Sequence, residues 1–208
     1  MPWWALTSSI AAPVLLITGG AIAQLLQPKT YSPVHNSISG LARLNATDRW
    51  LMTAVFVAVG LCFAITAIGL RPAHPAGLIC LIGGGIATLL VAAFPQPIHG
   101  ASEAHAVAAT VTLVTLAIWP LCAMRRNGEV PLLTSTGAIP AEVVIVALAA
   151  WLAIDRHGAL LGIAERLAAA AEAVWPFAVS ASAWRALGHR VEQTTAVNER
   201  TPLSLGAE

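Results

Sequence analysis

Four long stretches of this chain contain no Asp, Glu, Lys or Arg: residues 1–28, 50–70, 72–102 and 104–124. A helix needs about 20 mostly apolar residues to cross the hydrocarbon core of a bilayer, and each stretch can hold one. Composition agrees. The 208 residues are 57% apolar and only 10% charged, whereas a soluble domain carries about 25% charged residues. So few charges cannot cover a water-facing surface, and the chain reads as a membrane protein. Its net charge of +1 excludes a nucleic-acid binder, because no basic stripe exists to neutralise phosphates.

The third uncharged stretch places a span at about residues 76–94. Two further apolar runs carry isolated charges: 137–154, with Glu142 near its start, and 167–187, with Glu172. The expectation is therefore an all-α, polytopic bundle of six transmembrane helices in residues 1–188, followed by a polar tail over 189–208. Proline lacks an amide donor and favours helix exits. Pro28 and Pro33, Pro72 and Pro75, Pro95 and Pro97, and Pro131 and Pro140 mark such borders, while Pro120 and Pro176 fall inside spans and should kink them. Trp3, Trp4, Trp50, Trp119, Trp151 and Trp184 lie near predicted span ends, where indoles favour the membrane interface. Ala21-Ile22-Ala23 resembles a signal-peptide cleavage site, but no Lys or Arg precedes the apolar run, so the segment is expected to stay as the first span.

Orientation follows from the arginines. Arg71, Arg125, Arg126 and Arg185 abut span ends in short connections, and such positions face the cytoplasm. Both termini are then cytoplasmic, in a multi-pass protein of the cytoplasmic (inner) membrane. The first, third and fifth loops face outward and carry His35, His99, His105 and His157, four of the six histidines.

On that face His99, His105 and His157, with Asp155 or Glu103, supply residue types that zinc accepts. His99 and His105 are six apart, which matches no helical metal motif. Hydrogen bonding to loop backbone and water is the alternative for these side chains. Ser39 is a candidate polar contact, and no GxSxG nucleophile elbow exists. Ser102 is placed to cap the fourth helix. Glu165 and Glu172 are seven apart and share a helix face. Glu172 lies within a span, where an ionisable group is by default functional and has a partner; an interhelical hydrogen bond or a protonated side chain is the other reading. Arg166 should snorkel outward, and Glu142 reads as interfacial. Gly83-Gly84-Gly85, Gly19-Gly20 and Gly60 read chiefly as close-packed helix faces, with a backbone opening for a ligand as the alternative. Cys62, Cys80 and Cys122 fall inside spans as small hydrophobes, with no CxxC.

Several short elements occur in order: Ile38-Ser39-x-Leu41 after the first span, Phe94-Pro95 at the exit of the third, and His105 at the start of the fourth. Gly162 with Glu165-Arg166 and then Trp175 completes them. In these elements the chain resembles the bacterial membrane-protein family catalogued as domain of unknown function 998, over most of its length. Members of that family often carry an Asp two residues after the Phe-Pro proline; here Pro97 stands there. The resemblance implies a fold and no activity.

The outer loops are expected to form a polar vestibule where Ser39, His99, His105, His157, Glu165 and Arg166 converge above Glu172. The reading that follows is binding or transport of a lipid-like or small polar molecule, with membrane lipid as the surrounding partner and no cofactor. The alternatives are a zinc-dependent membrane hydrolase of a lipid amide or ester, with His99, His105 and His157 as ligands, and a structural subunit of a membrane complex. Whether the chain is an enzyme stays open in sequence alone.

Overall fold

The computed structural model describes residues 1–126 and 128–200, with side chains described as far as residue 188. Among them seven α-helices follow in order: α1 (Trp3–Leu25), α2 (Arg49–Gly69), α3 (Pro75–Ala93), α4 (Glu103–Ala117), α5 (Trp119–Ala123), α6 (Ser135–Ile154) and α7 (Leu161–Arg200). No strand occurs among the described residues. Successive helices pack on each other, and α7 returns to α1, which closes the set into a ring. Helices α1, α2, α3 and α6 are each long and apolar enough to cross a membrane. This is the pattern of a multi-pass membrane protein.

Large apolar residues face outward as well as inward. Ile68, Ile79, Val107 and Val143 are each more than 60% exposed, while Ala12, Ala67, Ala87, Ala168, Ala173 and Ala183 are buried. Lipid tails solvate large apolar side chains as well as a protein core does, so many can stay outside, and small residues let neighbouring helices approach closely; Met52, Phe56, Phe63 and Leu81 fill the interior that remains. Helices α2 and α3 approach closely at a pair of glycines. A Cβ at Gly60 would fall 2.7 Å from the Gly85 carbonyl oxygen, and one at Gly85 would fall 2.6 Å from that of Gly60. Gly84 meets Leu116 of α4, whereas a Cβ at Gly83 would meet nothing within 4 Å.

Several expectations change in the fold. Pro120 does more than kink the fourth span. Helix α4 ends at Ala117, Ile118 intervenes, and α5 restarts at Trp119. The Leu121 amide beyond the break donates to Glu142 Oε2 at 3.3 Å, so Glu142 mends a broken helix and is not merely interfacial. Trp119 is 1% exposed and fills the interior at this break, unlike Trp3, Trp50 and Trp184, which are exposed. Helix α7 passes through Pro176 without interruption. Pro140 lies within α6; the carbonyl it leaves without a donor belongs to Thr136, in the first turn, where such carbonyls are easily solvated. No helix end marks the expected start of the tail at residue 189, because α7 runs on to Arg200. Residues 201–208 lie outside the described residues.

The glycine pairing gives the first prediction. Gly85→Leu overpacks the α2–α3 contact, at a cost of about 1–3 kcal/mol, and should lower the melting temperature in detergent by several degrees. Gly83→Leu points into open space and should leave it unchanged.

Candidate functional site

Three connections meet at one end of the bundle: residues 26–48, 94–102 and 155–160. The first joins the other two. Its Leu44 amide donates to the Gln96 carbonyl at 3.1 Å, and its Val34 carbonyl accepts the Gly162 and Ile163 amides at 2.9 and 3.3 Å. Those amides open α7 and have no partner within the helix, so the loop caps it. His35 Nδ1 adds a hydrogen bond to the Ala159 carbonyl.

Two neighbouring residues of α7 fasten this loop. Arg166 Nη1 donates at 2.9 Å to the carbonyls of Pro33, Asn36 and Gly162, and Nη2 donates to the Tyr31 hydroxyl. Glu165 accepts the Ile38 amide at 2.7 Å and the Ser39 amide at 3.4 Å. Each charge thus takes the peptide groups of opposite polarity from one turn of loop. Burial pushes the Glu165 carboxyl above the usual carboxylate range, and the donors from Ile38 and Ser39 pull it part of the way back. Burial likewise raises the Tyr31 phenol, against the neighbouring Arg166. Gly162 is required here, because a Cβ would run into the carbonyls of Pro33, Val34 and Asn36.

A second network continues from Ser39, which is buried with His105. Gln96 Nε2 donates at 3.2 Å to Ser39 Oγ and reaches His105 Nε2 at 3.2 Å. Arg43 donates to Gln96 Oε1 at 2.9 Å, which fixes the orientation of the amide. His105 Nδ1 lies 2.8 Å from the Phe94 carbonyl. A carbonyl only accepts, so the proton sits on Nδ1 and the neutral Nε2 accepts from Gln96. The Ser102 hydroxyl accepts the His105 amide at 3.2 Å, the cap expected from sequence.

The arrangement therefore joins Ser39, His105, Glu165 and Arg166 and leaves out two expected members, His99 and His157. Both are exposed on their loops. Glu172, 4% exposed, lies two turns deeper on α7. The zinc set of His99, His105 and His157 is not assembled. Both nitrogens of His105 are engaged, and among the described residues no three His, Cys, Asp or Glu side chains group to hold a metal. Nor do Ser39 and His105 pair directly, since Gln96 stands between them. Gln96 and Tyr31 were missed in sequence. The available signal for Gln96 was a long amide held between Pro95 and Pro97 at a helix exit.

Beside this network a groove of about 500 Å3 runs between α3 and α4. Gly83, Ile86, Leu90 and Phe94 line one wall, and Glu103, Ala104, Val107 and Val111 the other. Gly83 opens it, for lack of a side chain.

A family model described as protein of unknown function (DUF998) matches residues 10–182. The chain belongs to this family. The residues matched to DUF998 include Ser39, Gln96, His105, Glu165 and Arg166. No curated protein and no solved structure matches the chain.

The clamp is testable. Lysine cannot reproduce the guanidinium fork, so Arg166→Lys should destabilise the DUF998 fold by about 2 kcal/mol, the scale of hydrogen bonds to a charged group. Hydrogen–deuterium exchange should rise in peptides covering residues 31–41. Glu165→Gln keeps an acceptor oxygen and should do less.

Proposed function

We propose that this protein binds a lipid-like molecule at the end of the bundle where the three loops meet. The acyl chain lies in the groove between α3 and α4, and the head group sits at the groove's mouth. The α3–α4 groove is the observation that carries the reading. Its walls are apolar along most of their length, and the mouth presents Glu103 and Phe94. An acidic mouth suits a head group that carries hydrogen-bond donors. Groove and network share one helix: α4 turns Glu103, Ala104 and Val107 to the groove and buries His105 in the network.

In this reading the protein has six spans, with α4 and α5 together forming the fourth and α7 from about residue 167 the sixth. The termini are cytoplasmic in the cytoplasmic membrane, supported by Arg71, Arg125, Arg126 and Arg185 at the end opposite the loops. The joined loops are a rigid rim beside the mouth. No metal or cofactor enters the reading.

The test is lipid retention. The protein, extracted in mild detergent, should carry lipid adducts in native mass spectrometry. Gly83→Phe fills the groove from a position with open space, and should cut retained lipid about tenfold, equivalent to about 1.4 kcal/mol, with the melting temperature unchanged. A wild-type protein without adducts, or equal retention in the folded variant, overturns the reading.

A further inference from the structure

The interior of the bundle beside α7 holds polar atoms that neither the groove nor the loop network uses. Glu172 Oε1 is buried without a hydrogen-bond partner among the described residues, as are Trp175 Nε1 and Ser180 Oγ of the same helix and Trp119 Nε1 of α5. Buried polar atoms are nearly always paired, so each orphan asks for an explanation. Here three of them lie within nine residues of one helix.

Pro176 sharpens the point. It stands four residues after Glu172 within the unbroken α7, and proline has no N–H. The helix therefore cannot return a donor to the Glu172 carbonyl. One turn presents two oxygens that the helix leaves without donors, one from the carboxyl group and one from the main chain. The indole N–H of Trp175 lies three residues on, on the same side.

The groups that could neutralise a carboxylate here can be followed element by element. Helix α1 carries no charged or titratable side chain, and neither does the 3-10 turn Pro131–Leu133 that also packs on α7. Helix α6 brings only Glu142, bound to the Leu121 amide. Helix α4 brings Glu103 and His105, both in its first turn at the loop end, with His105 engaged by Phe94 and Gln96. On α7 itself Glu165 and Arg166 are held by the loop. Arg185 is 13 residues away, about 20 Å at the helical rise. Among the described residues, no cationic side chain serves Glu172. An unpaired charge in such a place is costly.

We propose that the Glu172–Pro176 turn is a proton-binding site in the interior of the bundle, occupied as the carboxylic acid. The proton adds to a carboxylate oxygen, which removes the charge and places an O–H donor on the turn whose Glu172 main-chain carbonyl the helix leaves without one. The site is separate from the lipid groove and stands or falls independently of it.

Infrared spectroscopy of the full-length protein in lipid, near neutral pH, tests this. The wild type should show the carbonyl-stretch band of a protonated carboxylic acid, shifted down in D2O. Glu172→Gln, which keeps the size of the side chain, should abolish the band, while Glu142→Gln and Glu165→Gln leave it. Glu172→Asp keeps an acid on a shorter arm and should retain a displaced band, which covers failure of the glutamine variant to fold. No band in the wild type, or a band that survives unchanged in Glu172→Gln or Glu172→Asp, overturns the proposal.

Discussion

The loop end of the bundle depends on one pairing, that of Glu165 and Arg166 with the peptide groups of residues 33–39. A connection as long as 26–48 has many amides and carbonyls to satisfy, and water would serve most of them. It is ordered because a single turn of it presents carbonyls at Pro33, Val34 and Asn36, then amides at Ile38 and Ser39. The head of α7 offers the complement: two free amides, a guanidinium fork and a carboxyl. Charge-assisted bonds of this type are about twice as strong as neutral ones. Once Ser39 is fixed in this way, Gln96 can bridge it to His105, and the connection 94–102 is tied to the first.

Deeper in the bundle a different constraint rules. Helices in lipid gain nothing from burying large apolar groups, so contact follows from close approach. The facing carbonyls and glycines of α2 and α3 show how close that approach is. The same solvent makes an unsatisfied backbone group expensive. Glu142 is explained by that cost: Pro120 breaks the fourth span, the Leu121 amide loses its helical partner, and a carboxylate from α6 supplies one. A charge that reads as interfacial in sequence is a repair.

What the sequence made legible was whatever depends on composition along one segment. Helix positions, the cap at Ser102, the glycine faces and the loop end where polar residues gather all follow from local pattern. The break at Ile118 did not, since a proline in a span predicts a kink as well as a gap, and only the partner on α6 decides between them. The site was legible by halves for the same reason. Glu165 and Arg166 stand out as charges at a span border, but their work is done on main-chain atoms 130 or so positions earlier in the chain, and main-chain atoms leave no mark in a sequence. Histidine drew attention as a metal ligand, yet His99 and His157 are exposed and His105 is tied to Phe94 and Gln96. Residue type suggested a chemistry that geometry does not assemble.

That outcome directs where recognition can occur. In the loop network nearly every strong donor and acceptor is already matched: the Arg166 fork to carbonyls, Glu165 to amides, His105 at both nitrogens, and Gln96 through both ends of its amide. A ligand inserted among them would have to replace bonds of equal quality, which gives little net affinity. Such a network is suited to holding a shape. Sites with something left to give lie elsewhere, in the apolar groove that this rim adjoins and at the unpaired oxygens of Glu172. The first offers surface without bonds and the second offers bonds without partners. The polar rim fixes the geometry of the groove through α4 and holds the head of the helix that carries Glu172.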